Sequence, residues 1–255
     1  MIKRNTQQRR HTIIALINEI GTVSVEELSK KFETSEVTIR KDLSALEKNG
    51  LLLRRYGGAI SMPKEILIAD DDEKVSLRKL AIGSEAAKHI RDHNRIIIDS
   101  GSTTAALITK LADKQGLIVM TNSLNVASAL NELESEPTLL MTGGTWDVHS
   151  ESFQGQVAES VLRSYDFDQL FIGADGIDIE RGTTTFNELV GLSRVMADVS
   201  REVVVMIESE KIGRKIPNLE LAWQEIHTLI TDQGLSDTVK QQIEKHGVNV
   251  IVAND

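Results

Sequence analysis

The sequence contains no cysteine, only three prolines and 4% aromatic residues. The absence of cysteine excludes disulfide bonds and thiolate metal sites, and it suits a cytosolic protein. No apolar run approaches the ~20 residues that a membrane-spanning helix requires, and Met1–Arg10 is polar and basic, unlike a secretory signal. With 40% hydrophobic and 26% charged residues, the composition is typical of a soluble globular protein, which we expect to be cytoplasmic and not bound to a membrane.

The 255 residues are enough for two domains, and the charge is divided unequally along them. Residues 1–60 contain 11 basic and 7 acidic residues, whereas the remainder contains 18 basic and 31 acidic residues. A basic N-terminal part on an acidic body indicates that only this part binds a polyanion, although the excess is also compatible with an ordinary surface. We expect one domain at 1–60, a linker at 61–78 with Pro63 and an acidic run, and a second domain at 79–255.

Three helical patterns follow one another in the N-terminal part. Apolar residues at helical spacing predict a first helix from about Gln7 to Ile20. Ser24 and Glu27 can form a capping box at the start of a second helix, and Ser35 can cap a third, from Glu36 to about Lys48. Two short helices joined by a tight turn are a helix-turn-helix motif.

The third helix has an outer face suited to DNA. Ile39, Leu43 and Leu46 form its inner face, so polar and basic side chains near its N-terminus point outwards, where recognition helices contact base edges. A β-ribbon, or wing, is predicted next, ending in a glycine turn, and its basic residues can grip phosphates. Each feature alone could be a solvated face or a simple turn, and their combination favours DNA binding. The predicted DNA-binding residues are Ser35, Val37, Thr38, Arg40, Lys41, Ser44, Arg54, Arg55 and Tyr56.

In the second domain, strand-like apolar runs alternate with helical stretches. The runs begin near residues 95, 117, 138, 170, 203 and 248. This alternation predicts an α/β fold with a mostly parallel sheet covered on both faces. Ligands of such sheets bind at the carboxyl ends of the strands.

Small polar residues follow several of these strands. The segment from Asp99 to Thr104 leads into a helix, where free amides can hold a phosphate. Each such segment alone is a weak signal, but together they offer phosphate donors, two carboxylates and one ammonium group, which suits a phosphorylated polyol. We predict no metal or cofactor. The candidate effector-binding residues are Asp99, Gly101, Ser102, Thr103, Thr104, Thr121, Asn122, Gly143, Gly144, Asp175, Thr184, Glu188 and Lys211.

Long motifs in both domains resemble one family. The run from Ser35 to Leu43, followed by Leu46-Glu47 and Arg55-Tyr56-Gly57-Gly58-Ala59, resembles the N-terminal signature of the DeoR family of bacterial sugar-metabolism regulators. The second domain resembles the family's C-terminal effector domain through Asp99–Thr104, Met120–Ser123, Gly143-Gly144, Phe171–Ile177 and Ser209–Lys211. The resemblance implies a winged helix-turn-helix and a sensor fold like that of ribose-5-phosphate isomerase and glucosamine-6-phosphate deaminase.

The resemblance also implies a function. It predicts a homo-oligomeric repressor, dimer or tetramer, of a sugar or polyol operon, which leaves double-stranded operator DNA when a phosphorylated sugar binds. Within the family, Thr184–Glu188 and Gly213–Asn218 look most like the regulators of glucitol (sorbitol) operons, then those of N-acetylgalactosamine pathways. Sorbitol 6-phosphate is therefore the first candidate effector and an amino-sugar phosphate the second.

The chain departs from the family motifs at two places. Asp147 stands where the family usually has arginine, and Glu208-Ser209-Glu210-Lys211 replaces the usual Asp-Ser-Ser-Lys. A rival hypothesis is a sugar-phosphate isomerase or deaminase-like enzyme fused to a DNA-binding head, with Asp175, Glu188 and Lys211 as acid, base and electrostatic support. A third is an architectural DNA-binding protein. We predict a sensor without catalysis, because fold analogy does not transfer chemistry.

Overall fold

The computed structural model describes residues 6–48, 52–55, 57–61, 77–148, 150–186, 190–214 and 216–254. The chain divides into two compact units between residues 74 and 75. This division falls within the segment 61–78, which the sequence assigned to a linker, and the last two residues of that segment belong to a helix.

The N-terminal unit is a helix-turn-helix with a three-stranded antiparallel sheet in the order β1-β3-β2. Its elements are α1 (Thr6–Ile20), β1 (Thr22–Ser24), α2 (Val25–Lys31), α3 (Glu36–Lys48), β2 (Leu52–Arg55) and β3 (Gly58–Ser61). The predicted helices and wing are confirmed. Strand β1 was not predicted, because three residues are too few to show an alternating pattern.

Local sequence explains where α2 begins. The Glu27 amide donates to Ser24 Oγ at 3.1 Å, and the Ser24 amide donates to Glu27 Oε2 at 3.0 Å, so the predicted capping box is formed. The apolar faces of the three helices then close on one core. Its fully buried members include Ile13, Ile17, Leu28, Ile39, Leu43 and Leu52.

The C-terminal unit contains six described helices. They are α4 (Leu77–Ala87), α5 (Ser102–Ala105), α6 (Leu124–Asn131), α7 (Gln156–Leu162), α8 (Gly191–Asp198) and α9 (Asp237–Glu244). The strands of this unit are β4 (Arg95–Ile98), β5 (Ile118–Thr121), β6 (Thr138–Met141), β7 (Thr145–Asp147), β8 (Ser152–Gln154), β9 (Phe167–Ile172), β10 (Gly176–Asp178), β11 (Gly182–Thr185), β12 (Ser200–Met206), β13 (Asn218–Ala222), β14 (Thr228–Thr231) and β15 (Asn249–Val252).

Seven of these strands form one parallel sheet in the order β15-β14-β12-β9-β4-β5-β6. The α/β prediction is therefore confirmed. The chain builds outward from β4 to one edge through β5 and β6, then returns beside β4 as β9 and builds to the other edge. The carboxyl ends of β4 and β9 thus flank the topological switch point, where sheets of this kind bind ligands.

Alternating side chains bury both faces of the sheet. In β12, Val203 and Val205 belong to one core cluster, while Val204 and Met206 belong to the other. Helices α7, α8 and α9 contribute to the first cluster, and α4 and α6 to the second. Strand β14 was missed from the sequence, because threonines flank its only two apolar residues.

Two small elements extend the carboxyl edge of the main sheet. Strands β10, β11 and β13 form an antiparallel sheet, and β7 pairs with β8 in a hairpin. The segment Thr183-Thr184-Thr185, interpreted as a loop from the sequence, lies in β11. Across the described ranges, no helix combines the length and apolar character needed to cross a membrane.

Candidate functional site

The outer face of α3 is exposed, as the spacing of its apolar residues predicts. Ile39 and Leu43 are buried, whereas Val37 is 60% exposed and Arg40 and Lys41 are exposed. Ser35 Oγ lies 3.2 Å from the Thr38 amide, which donates to it, so this serine begins the helix. The two cations and one apolar side chain are available to a partner, as base-edge contacts require.

The basic side chains near this face differ in their contacts. Arg40 Nη2 lies 2.7 Å from Glu36 Oε2, but both side chains are about half exposed, and such pairs stabilise a protein little. Arg54 Nη1 donates to Ser44 Oγ at 2.6 Å, which fixes the start of the wing against α3. The side chain of Arg55 and the whole of Tyr56 lie outside the described residues.

A buried carboxylate in α3, missed from the sequence, holds α1 in place. Asp42 is 2% exposed and accepts from Arg9 Nε at 2.6 Å and Arg10 Nε at 2.8 Å. These two arginines therefore neutralise a buried charge within the unit. The signal in the sequence was the position of Asp42 beside the inward-facing Leu43.

In the C-terminal unit, one asparagine joins the loops that follow β4 and β5. Asn122 Nδ2 donates to Asp99 Oδ1 at 2.8 Å, and its Oδ1 accepts from the Ser100 amide at 3.1 Å. Its backbone carbonyl accepts from the Phe153 amide at 2.7 Å, which adds the β7-β8 hairpin to the network. The candidate residues Asp99 and Asn122 are thus brought together. Through these three hydrogen bonds, Asn122 links the loop after β4, the loop after β5 and the β7-β8 hairpin.

The loop after β4 is tightly shaped. Gly101 has φ 133°, and Thr104 Oγ1 donates to the carbonyls of Asp99 at 2.8 Å and Gly101 at 2.9 Å. Helix α5 is a single turn of four residues, so its dipole contributes little and its first amides are the main attraction for an anion. Ser102 is exposed and Thr103 is buried, which leaves the Ser102 hydroxyl the more accessible of the two.

The loops after β5 and β6 are adjacent to this one in the sheet. Thr121 is buried, and its hydroxyl accepts from the Ser123 amide at 3.1 Å. Gly143 and Gly144 have φ values of 58° and 114°. A Cβ on Gly144 would lie 2.6 Å from the Gln154 carbonyl oxygen, so only glycine fits between the sheet end and the hairpin. Asp147 Oδ2 accepts from the Ser150 amide and hydroxyl.

Asp175 follows β9 on the other side of the switch point. Its Oδ2 accepts from Thr185 Oγ1 at 2.7 Å and from the Phe186 amide at 3.0 Å. Thr184, the threonine chosen from the sequence, instead donates to the Arg214 carbonyl at 3.4 Å. The two differ because successive side chains of a strand point to opposite faces. Glu188 lies outside the described residues.

A third acidic residue, Glu220 in β13, was not predicted from the sequence. It is buried and accepts from Ser193 Oγ of α8 at 2.7 Å. Burial, together with the negative charges of Asp99 and Asp175, raises the pKa of Glu220 to about 8, against the hydrogen bond from Ser193. Burial also raises the pKa of Asp99 to about 6, against the hydrogen bonds from Asn122 and Ser100. The only sequence signal was the alternating pattern of Asn218–Ala222, which was overlooked.

Lys211 belongs to a turn, Ser209–Lys211, at the carboxyl end of β12. The Ser209 amide and hydroxyl each donate to the Asp232 carboxylate at 2.7 Å, which fastens this turn to the end of β14. Lys211 is partly exposed, and its amide donates to the Glu208 carbonyl at 3.0 Å. Within the described ranges, no group of three or more His, Asp or Glu side chains is arranged to hold a metal ion.

A helix-turn-helix with Arg40 and Lys41 exposed in one unit, and polar loops at the switch point of the sheet in the other, are the features of a DNA-binding regulator with a separate sensor domain. The family of DeoR-like helix-turn-helix domains matches residues 9–65, and that of DeoR C-terminal sensor domains matches residues 74–233. The chain belongs to the DeoR family of transcriptional regulators.

Relatives match over nearly the whole chain. It is 38% identical to a putative aga operon transcriptional repressor of Escherichia coli O157:H7, over 98% of this chain and 95% of that protein. It is 34% identical to the uncharacterized regulator YulB of Bacillus subtilis, over 95% of each chain. It is 32% identical to the regulator GlpR of Haloferax volcanii, over 96% of each chain.

Among solved structures, two are similar to part of this chain. Ribose 5-phosphate isomerase A of Methanocaldococcus jannaschii is 19% identical with a TM-score of 0.38, over 56% of this chain and 55% of that chain. The eIF2B beta subunit of Chaetomium thermophilum is 12% identical with a TM-score of 0.43, over 60% and 49%. At these scores, neither carries a conclusion about chemistry.

Proposed function

We propose that this protein represses a sugar or polyol utilisation operon and leaves its operator DNA when a phosphorylated sugar binds the C-terminal unit. The observation that carries the proposal is the convergence of polar loops from β4, β5, β6 and β9 on one edge of the sheet, in a chain that also has an exposed recognition helix. The E. coli relative is named a transcriptional repressor of the aga operon, which supports repression.

The loop from Ser100 to Thr104 is the proposed phosphate site. Its first-turn amides and the exposed Ser102 hydroxyl are donors, and Lys211 supplies a positive charge at the phosphate or at an adjacent oxygen. Asp175 and Glu188 are the proposed acceptors for sugar hydroxyls. The buried hydroxyl of Thr104 supports this loop through its bonds to Asp99 and Gly101.

The charge at this edge bears on the choice of effector. Sorbitol 6-phosphate is supported by the resemblance to glucitol regulators. An amino-sugar phosphate gains support from the mutual repulsion of Asp99, Asp175 and Glu220, because an ammonium group would relieve it and a hydroxyl would not. A direct comparison of operator release by sorbitol 6-phosphate and by an amino-sugar phosphate decides between these two effectors.

The rival function is catalysis on a sugar phosphate. We infer that the protein binds a sugar phosphate without converting it, because similar proteins such as those of E. coli and H. volcanii are named as transcriptional regulators. We also propose that it acts in the cytoplasm. Effector release requires a ligand with different affinities for two conformations, and the shift cannot exceed that difference. Incubation with each candidate sugar phosphate, followed by product analysis, tests the enzyme hypothesis directly.

The deciding experiment is an operator titration. Anisotropy of a labelled fragment of the gene's own upstream region measures binding with and without sorbitol 6-phosphate, galactosamine 6-phosphate and the unphosphorylated sugars. We expect one sugar phosphate to release the DNA. Ser102→Ala and Lys211→Ala should weaken that response and leave ligand-free DNA affinity within about twofold. Equal release by the unphosphorylated sugar would disprove the phosphate site.

A further inference from the structure

Two adjacent basic residues at the start of α4 contact the turn that carries Lys211. Arg78 Nη1 lies 3.6 Å from Glu210 Oε2, and Lys79 Nζ lies 4.0 Å from Glu208 Oε2. The first pair is about half exposed, with side-chain exposures of 55% and 53%, whereas the second is buried, with 8% and 12%. Screening by water is weaker for the buried pair, so Lys79–Glu208 is the stronger electrostatic connection.

The same turn is also held by the end of β14. Asp232, at the end of β14, accepts from both the amide and the hydroxyl of Ser209. The turn is thus in contact with both the end of β14 and the first turn of α4. The hydrogen bonds to Asp232 are 2.7 Å long, whereas the ion pairs to α4 are 3.6 and 4.0 Å long. We therefore expect the contacts with α4 to change first when a ligand displaces Lys211.

Helix α4 is the first described element of its unit. It begins at Leu77, and the division between the two units lies between residues 74 and 75. Its Ile82 and Ala86 are buried in the core cluster that also contains Val204 and Met206 of β12. Helix α4 is thus the first described element of its unit and part of the same core as β12.

We propose that Lys79, through its buried pair with Glu208, is a positioning residue that couples α4 to the turn carrying Lys211, and that release of operator DNA by a sugar phosphate depends on this coupling. The proposal depends on the proposed function, because it assumes a sugar phosphate at this edge. Lys79 itself does not touch the ligand. It supplies the charge that keeps α4 aligned with the turn.

The test compares four full-length variants: Lys79→Met, Glu208→Gln, the double variant and Lys88→Met. Lys88 lies one residue beyond α4 and is an exposed, ion-paired lysine, so its replacement is the matched control. Calorimetry measures binding of sorbitol 6-phosphate and galactosamine 6-phosphate, and operator anisotropy measures the release that each causes. Urea unfolding measures stability.

We expect each single variant to lose stability, because a buried charge is left beside a neutral partner, and the double variant to regain most of it. The double variant should bind the effective sugar phosphate within about threefold of wild type, yet its operator release should fall at least about fivefold, the lower range of allosteric coupling. Lys88→Met should behave as wild type. A purely structural role would restore release together with stability.

Two results overturn the proposal: wild-type release by the double variant, or loss of sugar-phosphate binding itself. If neither sugar phosphate binds the wild-type protein, the proposed function fails separately. In that case, hydrogen exchange of the ligand-free protein tests whether Lys79 and Glu208 couple α4 to the Lys211 turn. Glu208→Gln should speed exchange in residues 77–87 while Lys88→Met leaves it unchanged, and equal exchange in both would refute the connection.

Discussion

Three acidic side chains from different elements of the C-terminal unit lie close enough to repel one another. Asp99 follows β4, Asp175 follows β9, and Glu220 belongs to β13. Burial and the neighbouring carboxylates disfavour the ionised forms of Asp99 and Glu220, which raises the pKa of both groups. The folded protein consequently holds protons that the unfolded chain would release.

The raised pKa of Glu220 makes the stability of the folded protein depend on pH. Its pKa is raised from 4.5 to about 8 in the folded protein, so its contribution to stability is fully present below pH ~4.5 and is lost as the pH rises towards 8. Glu220→Gln should therefore gain stability relative to wild type between pH 5.5 and pH 8.5, by at least about 1 kcal/mol.

Urea unfolding at the two pH values measures this gain. Glu134→Gln, which removes an exposed carboxyl, is the control and should show no pH-dependent difference. A difference between Glu220→Gln and wild type that does not change with pH would contradict the raised pKa.

Arg40 tests the assignment of the recognition helix. Arg40→Ala should cost about 1–3 kcal/mol of operator affinity and relax specificity at one base pair. Lys30→Ala on α2 is a matched control, because Lys30 pairs with Glu26 at the same spacing and the same 2.7 Å as Arg40 with Glu36. Equal effects of the two variants on operator affinity would refute the assignment of α3.

The role of a residue can be predicted from the sequence when its partners are close to it in the chain. Ser24, Ser35 and the inner face of α3 follow from capping rules and helical periodicity. Asp42 and Glu220 were not predicted, because their hydrogen-bond partners are far away in the sequence. The partners of Asp42 are 33 and 32 residues away, and that of Glu220 is 27 residues away. The departures at Glu208 and Glu210 were visible in the sequence, but their contacts with α4 were not.

Among the elements, the β7-β8 hairpin depends on a glycine pair. Gly144→Ala should destabilise the protein more than Gly143→Ala, since only the first Cβ meets a backbone oxygen, at 2.6 Å, while the second has open space around it. Both variants share the strain of a positive φ, which costs roughly 1 kcal/mol, so Gly143→Ala is the internal control.

Urea unfolding measures both variants, and operator release reports the effect on the site. We expect Gly144→Ala to weaken the response to sugar phosphate as well, because the hairpin reaches Asn122 through the Phe153 amide. Equal stability of the two variants would mean that the hairpin moves freely away from the sheet.

Elements were predictable where a strand is long or continuously apolar. Strands β4, β5, β6, β9, β12 and β15 were recognised by their apolar runs. The shorter or more polar strands, such as β11 and β14, were not, since a threonine-rich segment of four residues looks the same in a loop and in a strand. For the same reason the contact of Thr185 with Asp175 was not predicted, whereas Thr184 was predicted to be among the effector-binding residues.

For the whole molecule, the position of the DNA-binding unit predicts assembly. Helix-turn-helix proteins bind paired half-sites as symmetric dimers, so we expect at least a dimer, with a tetramer also compatible with the resemblance. Light scattering at micromolar concentration, with and without operator DNA, measures the mass. A mass of 28.2 kDa, that of one chain, under both conditions would contradict the prediction.

The order of the strands in the sheet also governs how the protein emerges during synthesis. In the described part of the N-terminal unit, the strand pairings all lie within residues 22–61, so that unit can fold early, while the ribosome is still translating the remainder. Strand β4, in contrast, waits for β9, some 70 positions further on, to cover its second edge, and Glu220 arrives later still. A growing chain therefore acquires the ability to hold DNA before it acquires the ability to respond to a metabolite.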